Sequence, residues 1–435
     1  MPTRKQLGFW ELVAVGVGGM VGGGIFAVLG LAVTLAGGGT PVAFALAGVI
    51  ALITAYSYAR LAVAYPHDAG TVAYLNQAFG PGYLTGSLNV LLWLGYIVTL
   101  SLYAYAFGSY GAGFFPPAYH LLAKHLLVTG VVLLMTALNV LGANVMGKAE
   151  IWIVGVKTVI LLLFIGVGVW GIDAARLAPA AWAGTRQLVA GGMVIFIAYE
   201  GFQLIANAAN DVRDPGRTLP RALFVAVSFV ICLYVAIALV AVGNLPLPKI
   251  VGAKDYALAV AAEPFLGKPG YFLITVAALA STSSALNATL YGVTRLSYVI
   301  VKSGELPAVL DKKVWRKPIG GLLLSAALTL LLSNVLNLSR IATMGSAGFL
   351  IIFGAVNVAN VRLRRRTRAA AWLPAAGAAL CVFALGALTW ETARLDPYML
   401  LVLGGLVGAA LGIEGAYRVF KGRTIRIAAS QRGRS

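Results

Sequence analysis

The sequence predicts an all-α polytopic membrane protein in which two of the helices are broken at mid-membrane. Three observations carry this prediction. The composition is far too apolar for a soluble chain, apolar runs of membrane length follow one another to the C-terminus, and the first and sixth runs are interrupted.

Of 435 residues, 60% are hydrophobic and 11% charged, and the mean hydropathy is +0.89. Soluble domains carry about 25% charged residues, so no sizeable soluble domain is expected. The net charge of +19 would suggest nucleic acid in a soluble protein. Here the basic residues fall in alternate loops, and no nucleic-acid partner is expected. Cys232 and Cys381 lie in apolar runs, which argues against a disulfide framework. With three histidines in no ligand-like spacing, neither a metal nor any other cofactor is implied. Too little precedes the first run for a cleaved signal, so that run is expected to stay as a helix.

Apolar runs of about 20 residues can cross a bilayer. Twelve are read here, at 9–36, 41–64, 84–112, 124–146, 149–171, 188–208, 219–243, 270–302, 319–336, 338–360, 372–390 and 398–418. Between the second and third, Thr71–Phe79 reads as a short amphipathic helix, and Asp255–Glu263 as another before the eighth. Lys and Arg in the loops set orientation. With the N-terminus in the cytoplasm, 24 of the 33 basic residues lie inside and 8 outside. The inside set includes Arg4, Lys5, Arg60, Lys148, Arg213, Lys312, Arg316, the Arg362–Arg368 cluster and the basic tail. Both termini are therefore expected in the cytoplasm, with the protein in the cell membrane.

The first run contains Gly16-Val-Gly-Gly-Met-Val-Gly-Gly-Gly-Ile-Phe26. Glycine costs a helix about 1 kcal/mol relative to alanine, so this cluster should open it. Unpaired backbone at bilayer depth is tolerated only inside protein or beside a watery cavity. A helix broken there aims N–H groups from one half and carbonyls from the other at one spot, a fit for a zwitterion. Gly18/Gly22 and Gly19/Gly23 also have the small-xxx-small spacing of a packing seam. No βαβ pattern surrounds them, which disfavours a dinucleotide loop. The sixth run, Gly191 to Gln203, carries Glu200-Gly201 at its centre. An ionisable residue there is a functional-site candidate by default, with a protonated Glu200 bonded to freed carbonyls as the structural alternative. Interrupted helices five spans apart point to an inverted-repeat transporter site, since an odd number of spans inverts the second copy.

These motifs resemble the amino acid–polyamine–organocation (APC) superfamily. Gly16–Phe26 is similar to its first helix, Tyr199-Glu-Gly-Phe with Asn210–Arg221 to its sixth helix and exit loop, and Tyr65–Gly80 to the loop after its second. The resemblance implies a LeuT-type 5+5 inverted repeat with two additional C-terminal helices. The repeats would be 1–171 and 188–360, followed by accessory helices over 372–418 and a basic cytoplasmic tail over 419–435. It also implies secondary transport of amino acids or related amines.

By that resemblance the substrate carboxylate meets the N–H groups of Gly22, Gly23 and Gly24, where the dipole of the second half-helix favours an anion by up to about 2 kcal/mol. Gly23 stands where the family commonly has serine. The α-amino group would meet carbonyls of Met20, Phe196, Ile197 and Glu200. Phe202 is a candidate lid, with core packing as the alternative, and Gln203 replaces a common glutamate. Glu200 would favour an amine-bearing or cationic substrate.

Lys157 lies about 10 Å into the fifth run at 1.5 Å per residue, too deep for easy snorkelling. It resembles the fifth-helix lysine of proton-coupled members, whose ammonium replaces a sodium ion. The mechanism expected is that charged Lys157 ties the fifth span to carbonyls around Val15–Gly18, and proton loss loosens that half-helix. A permanent structural strut is the alternative. Ser281 and Ser284 would line the same spot, with Thr282 and Ser283 beside them, although such hydroxyls often bond their own helix.

An intramembrane enzyme would need convergent nucleophile, base or metal ligands at depth, and a channel a ring of like groups; neither pattern is present in the sequence. The expected partners are a small amino acid or amine, protons and the lipid bilayer. An obligate exchanger without net proton movement, or a sensor that binds without transporting, stays open. The sequence carries no signal for the substrate's identity, the stoichiometry or the oligomeric state.

Overall fold

Helix α1 (Phe9–Met20) begins where the Gly8 N–H donates to the Glu11 carboxylate at 2.8 Å, an acid placed well against the helix dipole. It ends at Val21, whose N–H makes the last helical bond, and α2 (Gly24–Ala36) restarts the chain at an angle of 46°. The computed structural model describes residues 7–141, 146–302, 313–314 and 317–421. Arg4, Lys5, Lys312, Arg316 and the tail from 422 lie outside the described residues.

The chain continues through α3 (Thr40–Ala64), the short α4 (Gly70–Phe79), α5 (Tyr83–Ala112), α6 (His120–Leu141) and α7 (Met146–Gly168). The second half opens with α8 (Thr185–Val194), a 3₁₀ stretch over Ile195–Tyr199, and α9 (Gln203–Asn207). Then come α10 (Pro215–Asn244), α11 (Leu247–Gly252) and α12 (Ala257–Lys302). The sequence separates a short outer helix from the eighth span. The structure carries both in α12, with the bend at Gly267, whose φ of 64° suits glycine. Two antiparallel two-residue strands (Lys313–Val314 with Lys317–Pro318) precede α13 (Gly320–Val335), α14 (Leu338–Arg362), α15 (Arg364–Thr367), α16 (Trp372–Leu395) and α17 (Pro397–Lys421).

Among the described residues, ten helical segments are long and apolar enough to cross a membrane, and the broken pair α1/α2 makes eleven. The remaining candidate of the twelve expected is α13, whose 16 residues span about 24 Å at 1.5 Å each, short of a 30 Å hydrocarbon core.

Burial follows position in the bundle. α5 is buried along almost its whole length, whereas α16 and α17 present Trp390, Phe383 and Leu401 outward, as helices facing lipid do. Both breaks are central. α1 packs against α10 and α9, and the 3₁₀ stretch packs against α2, α3 and α14. Leu7, ahead of α1, is tied to the exit of the sixth run, its N–H donating to Asp211 O at 2.7 Å and Arg213 N–H to Leu7 O at 3.2 Å.

Candidate substrate site

The last carbonyls of a helix have no intrahelical donor, and at membrane depth they must be met by protein or by water in a cavity. At the end of α1 each of several freed carbonyls meets a side chain from a different helix. Lys157 Nζ, from α7, donates to Gly18 O at 3.3 Å. The Tyr234 hydroxyl, from α10, donates to Met20 O at 2.7 Å. Ser281, from α12, lies 3.0 Å from Val21 O and also contacts Gly22 O. On the other side of the break, no described residue accepts from the N–H groups of Gly22 and Gly23. With the first turn of α2 behind them, these form a positive helix end.

The second break runs through Ile195–Tyr199, an extended Glu200 and Gly201, with φ of 122°. Ser346 of α14 holds it, accepting from Ile197 N–H at 3.0 Å and donating to Val194 O at 2.7 Å. Tyr234 reaches Ala198 O at 3.2 Å, so one hydroxyl lies between the two breaks. Gln203 folds back: its Oε1 accepts from Gly201 N–H at 3.0 Å, and its Nε2 contacts the Glu200 carboxylate and lies 3.2 Å from the Tyr96 hydroxyl.

The breaks touch. A Cβ on Gly201 would sit 2.5 Å from the Gly19 carbonyl carbon, and one on Gly24 would sit 2.8 Å from Ala198 Cα. Glycine is therefore needed here for close approach. Beneath the contact lies a cavity of about 670 Å³. Gly18, Gly19, Glu200 and Gly201 border its deep end with Tyr96 and Tyr103, and Asp68, Asn210 and Arg295 border its exposed end.

The expected site residues divide into two groups. Glu200 and Ser284 line the cavity. Met20, Gly22, Gly23 and Gly24 are buried and do not line it, with the Tyr103 ring lying against Gly23. Lys157 is buried behind α1, bonded to Gly18 and 2% exposed. Phe196, Ile197 and Phe202 do not line the cavity. The Phe202 ring packs between Tyr58 and Phe353, with centroids 5.4 and 5.2 Å away, and Phe196 against Phe353 at 5.8 Å. Ser281 bonds the first break, while Thr282 and Ser283 bond carbonyls of their own helix.

Four residues escape a reading of the two motifs alone: Tyr96, Tyr103, Tyr234 and Ser346. The available signal is weak. A tyrosine within an apolar membrane run must find a partner for its hydroxyl, but the run does not say where.

Comparison with known proteins shows the family to which the chain belongs. The model of a family described as amino acid permease matches residues 7–406. An uncharacterized protein of Methanocaldococcus jannaschii is 39% identical over 80% of this chain and 81% of its own. The inner membrane transport protein YbaT of Escherichia coli is 36% identical, covering 83% and 84%. The methylthioribose transporter of Bacillus subtilis is 26% identical over 83% and 82%. With the match running through both breaks and nearly every membrane helix, the chain belongs to the amino acid permease family of the APC superfamily.

Proposed function

We propose that this permease is a proton-coupled symporter of amino acids or related amines, working by alternating access in the cell membrane with both termini cytoplasmic. The observation that carries the coupling is the contact of Lys157 Nζ with Gly18 O at the broken end of α1. A charged ammonium completes that carbonyl's hydrogen bonding. Once deprotonated, the amine is a far weaker donor, and the half-helix bordering the cavity is freed to move. Coupling between proton and substrate is reciprocal, each raising affinity for the other by the same factor. The two halves, 1–171 and 188–360, would form the inverted repeats, with 372–418 accessory to them.

In this reading the substrate carboxylate lodges at the N–H groups of Gly22 to Gly24 and its amine near Glu200. In the present conformation Tyr103 lies against Gly23, so the ring has to move aside before a ligand climbs from the cavity to the helix end. Glu200 at the cavity's deep end favours a cationic or amine-bearing substrate. The test is uptake in proteoliposomes under an imposed pH gradient. The wild type is expected to accumulate substrate, and Lys157→Ala to keep binding while losing gradient-driven accumulation. Persistence of accumulation in Lys157→Ala overturns the coupling assignment. Uptake only into liposomes preloaded with substrate marks an obligate exchanger, and binding without flux marks a sensor.

A further inference from the structure

The exposed end of the cavity has two walls. One is formed by the turn between α3 and α4 with the segment after α9. The Gly70 N–H donates to Asn207 Oδ1 at 3.1 Å, and Asn210 Nδ2 donates to Asp68 Oδ1 at 2.7 Å. These bonds make the turn and the end of the second break one unit. The other wall is α12, from Ser284 to Val299. An ion pair joins the walls: Arg295 Nη2 lies 3.3 Å from Asp68 Oδ2, the side chains being 57% and 38% exposed. Its guanidinium also sits 5.9 Å from the Tyr291 ring centroid on its own helix, which limits where it can swing. Both partners line the cavity, as does Asn210.

We propose that Asp68 and Arg295 are gating residues, an ion pair strapped across the mouth of the cavity that parts each time a substrate passes. The inference rests on the cavity being the substrate's route, and it needs nothing from the proton-coupling reading. The physical case is one of strength. A pair this exposed is worth little in isolation, so it resists opening only slightly and re-forms readily. It also acts on the wall that carries the end of the second break, through Asn210. A contact this weak is poor as a structural brace and well suited to a gate that must open at every cycle.

The experiment reads the mouth directly, with neither substrate nor gradient. In a chain carrying Cys232→Ser and Cys381→Ser, a reporter cysteine is placed at Ala288, half-buried in the cavity wall, and labelled with a charged maleimide. Thr289→Cys serves as a second reporter. Asp68→Asn and Arg295→Gln are expected to speed labelling by up to about fivefold, the factor an exposed pair can supply. The charge-swapped chain, Asp68→Arg with Arg295→Asp, is expected to return to the parent rate, because the Asn210 amide can flip to meet an arginine. Added salt, which screens exposed pairs, should speed the parent and leave Arg295→Gln unchanged. Equal rates in the parent and both single variants overturn the proposal. So does a swapped chain that labels as fast as the single variants.

Discussion

Gly201 shows how much a single missing side chain can decide. Its φ of 122° is open to glycine and costs other residues about 1–3 kcal/mol. An added methyl would also meet the backbone of Gly19 and Met20. Gly201→Ala should therefore lower the thermal midpoint in detergent and abolish stabilisation by substrate. Gly130 of α6 is the contrasting case, with nothing within 4 Å of its virtual Cβ. Gly130→Ala should leave the midpoint unchanged or raise it, since alanine favours a helix by about 1 kcal/mol. Both glycines stand in apolar runs of similar composition, and only the neighbours brought by folding tell them apart. Glu200 is a second test at this scale. If its carboxylate draws amines into the cavity, Glu200→Gln should shift a competition profile away from cationic substrates; an unaltered profile assigns the side chain to the structure of the break.

At the scale of elements, a helix break is stable only if its carbonyls are met. The end of α1 relies on Lys157, Tyr234 and Ser281, which come from α7, α10 and α12. A buried polar group left without its partner costs about 1–3 kcal/mol. Tyr234→Phe should accordingly lower the thermal midpoint, because the hydroxyl lies at carbonyls of both breaks. Groups sharing one network do not add independently. Tyr234→Phe combined with Lys157→Ala should thus differ from the sum of the single changes, which a double-mutant cycle of unfolding midpoints measures. The cluster Gly16–Phe26 and the pair Glu200-Gly201 locate both breaks in the sequence. Their supports are not legible there, since Tyr234 lies 214 residues from Met20 and Ser281 lies 260 from Val21.

Over the whole molecule, charge and hydropathy set the layout. The excess of Lys and Arg in alternate loops predicts that both termini share the cytoplasmic side. A C-terminal fusion to a fluorescent protein that folds only in the cytoplasm should emit, and one to a phosphatase active only outside should stay silent; the reverse pattern would invert the topology. The accessory helices illustrate a different dependence. Gly86 of α5 lies directly against the Glu414 carboxylate of α17, which is fully buried and 2.9 Å from Arg418. Neither residue stands out in its own run, and the notch that seats α17 arises only when the two helices meet.

From the residues alone one reads a helical membrane protein, where its helices run, and where two of them open. Those are local properties: an apolar run of sufficient length, a glycine cluster, an acid where hydrocarbon is expected. Only folding reveals which residues line the cavity, that Phe202 packs against Tyr58 and Phe353 while Glu200 borders the open space, and which side chains complete the broken backbone. Those outcomes turn on the rotation and depth of helices hundreds of residues apart, and a single run of residues does not encode either.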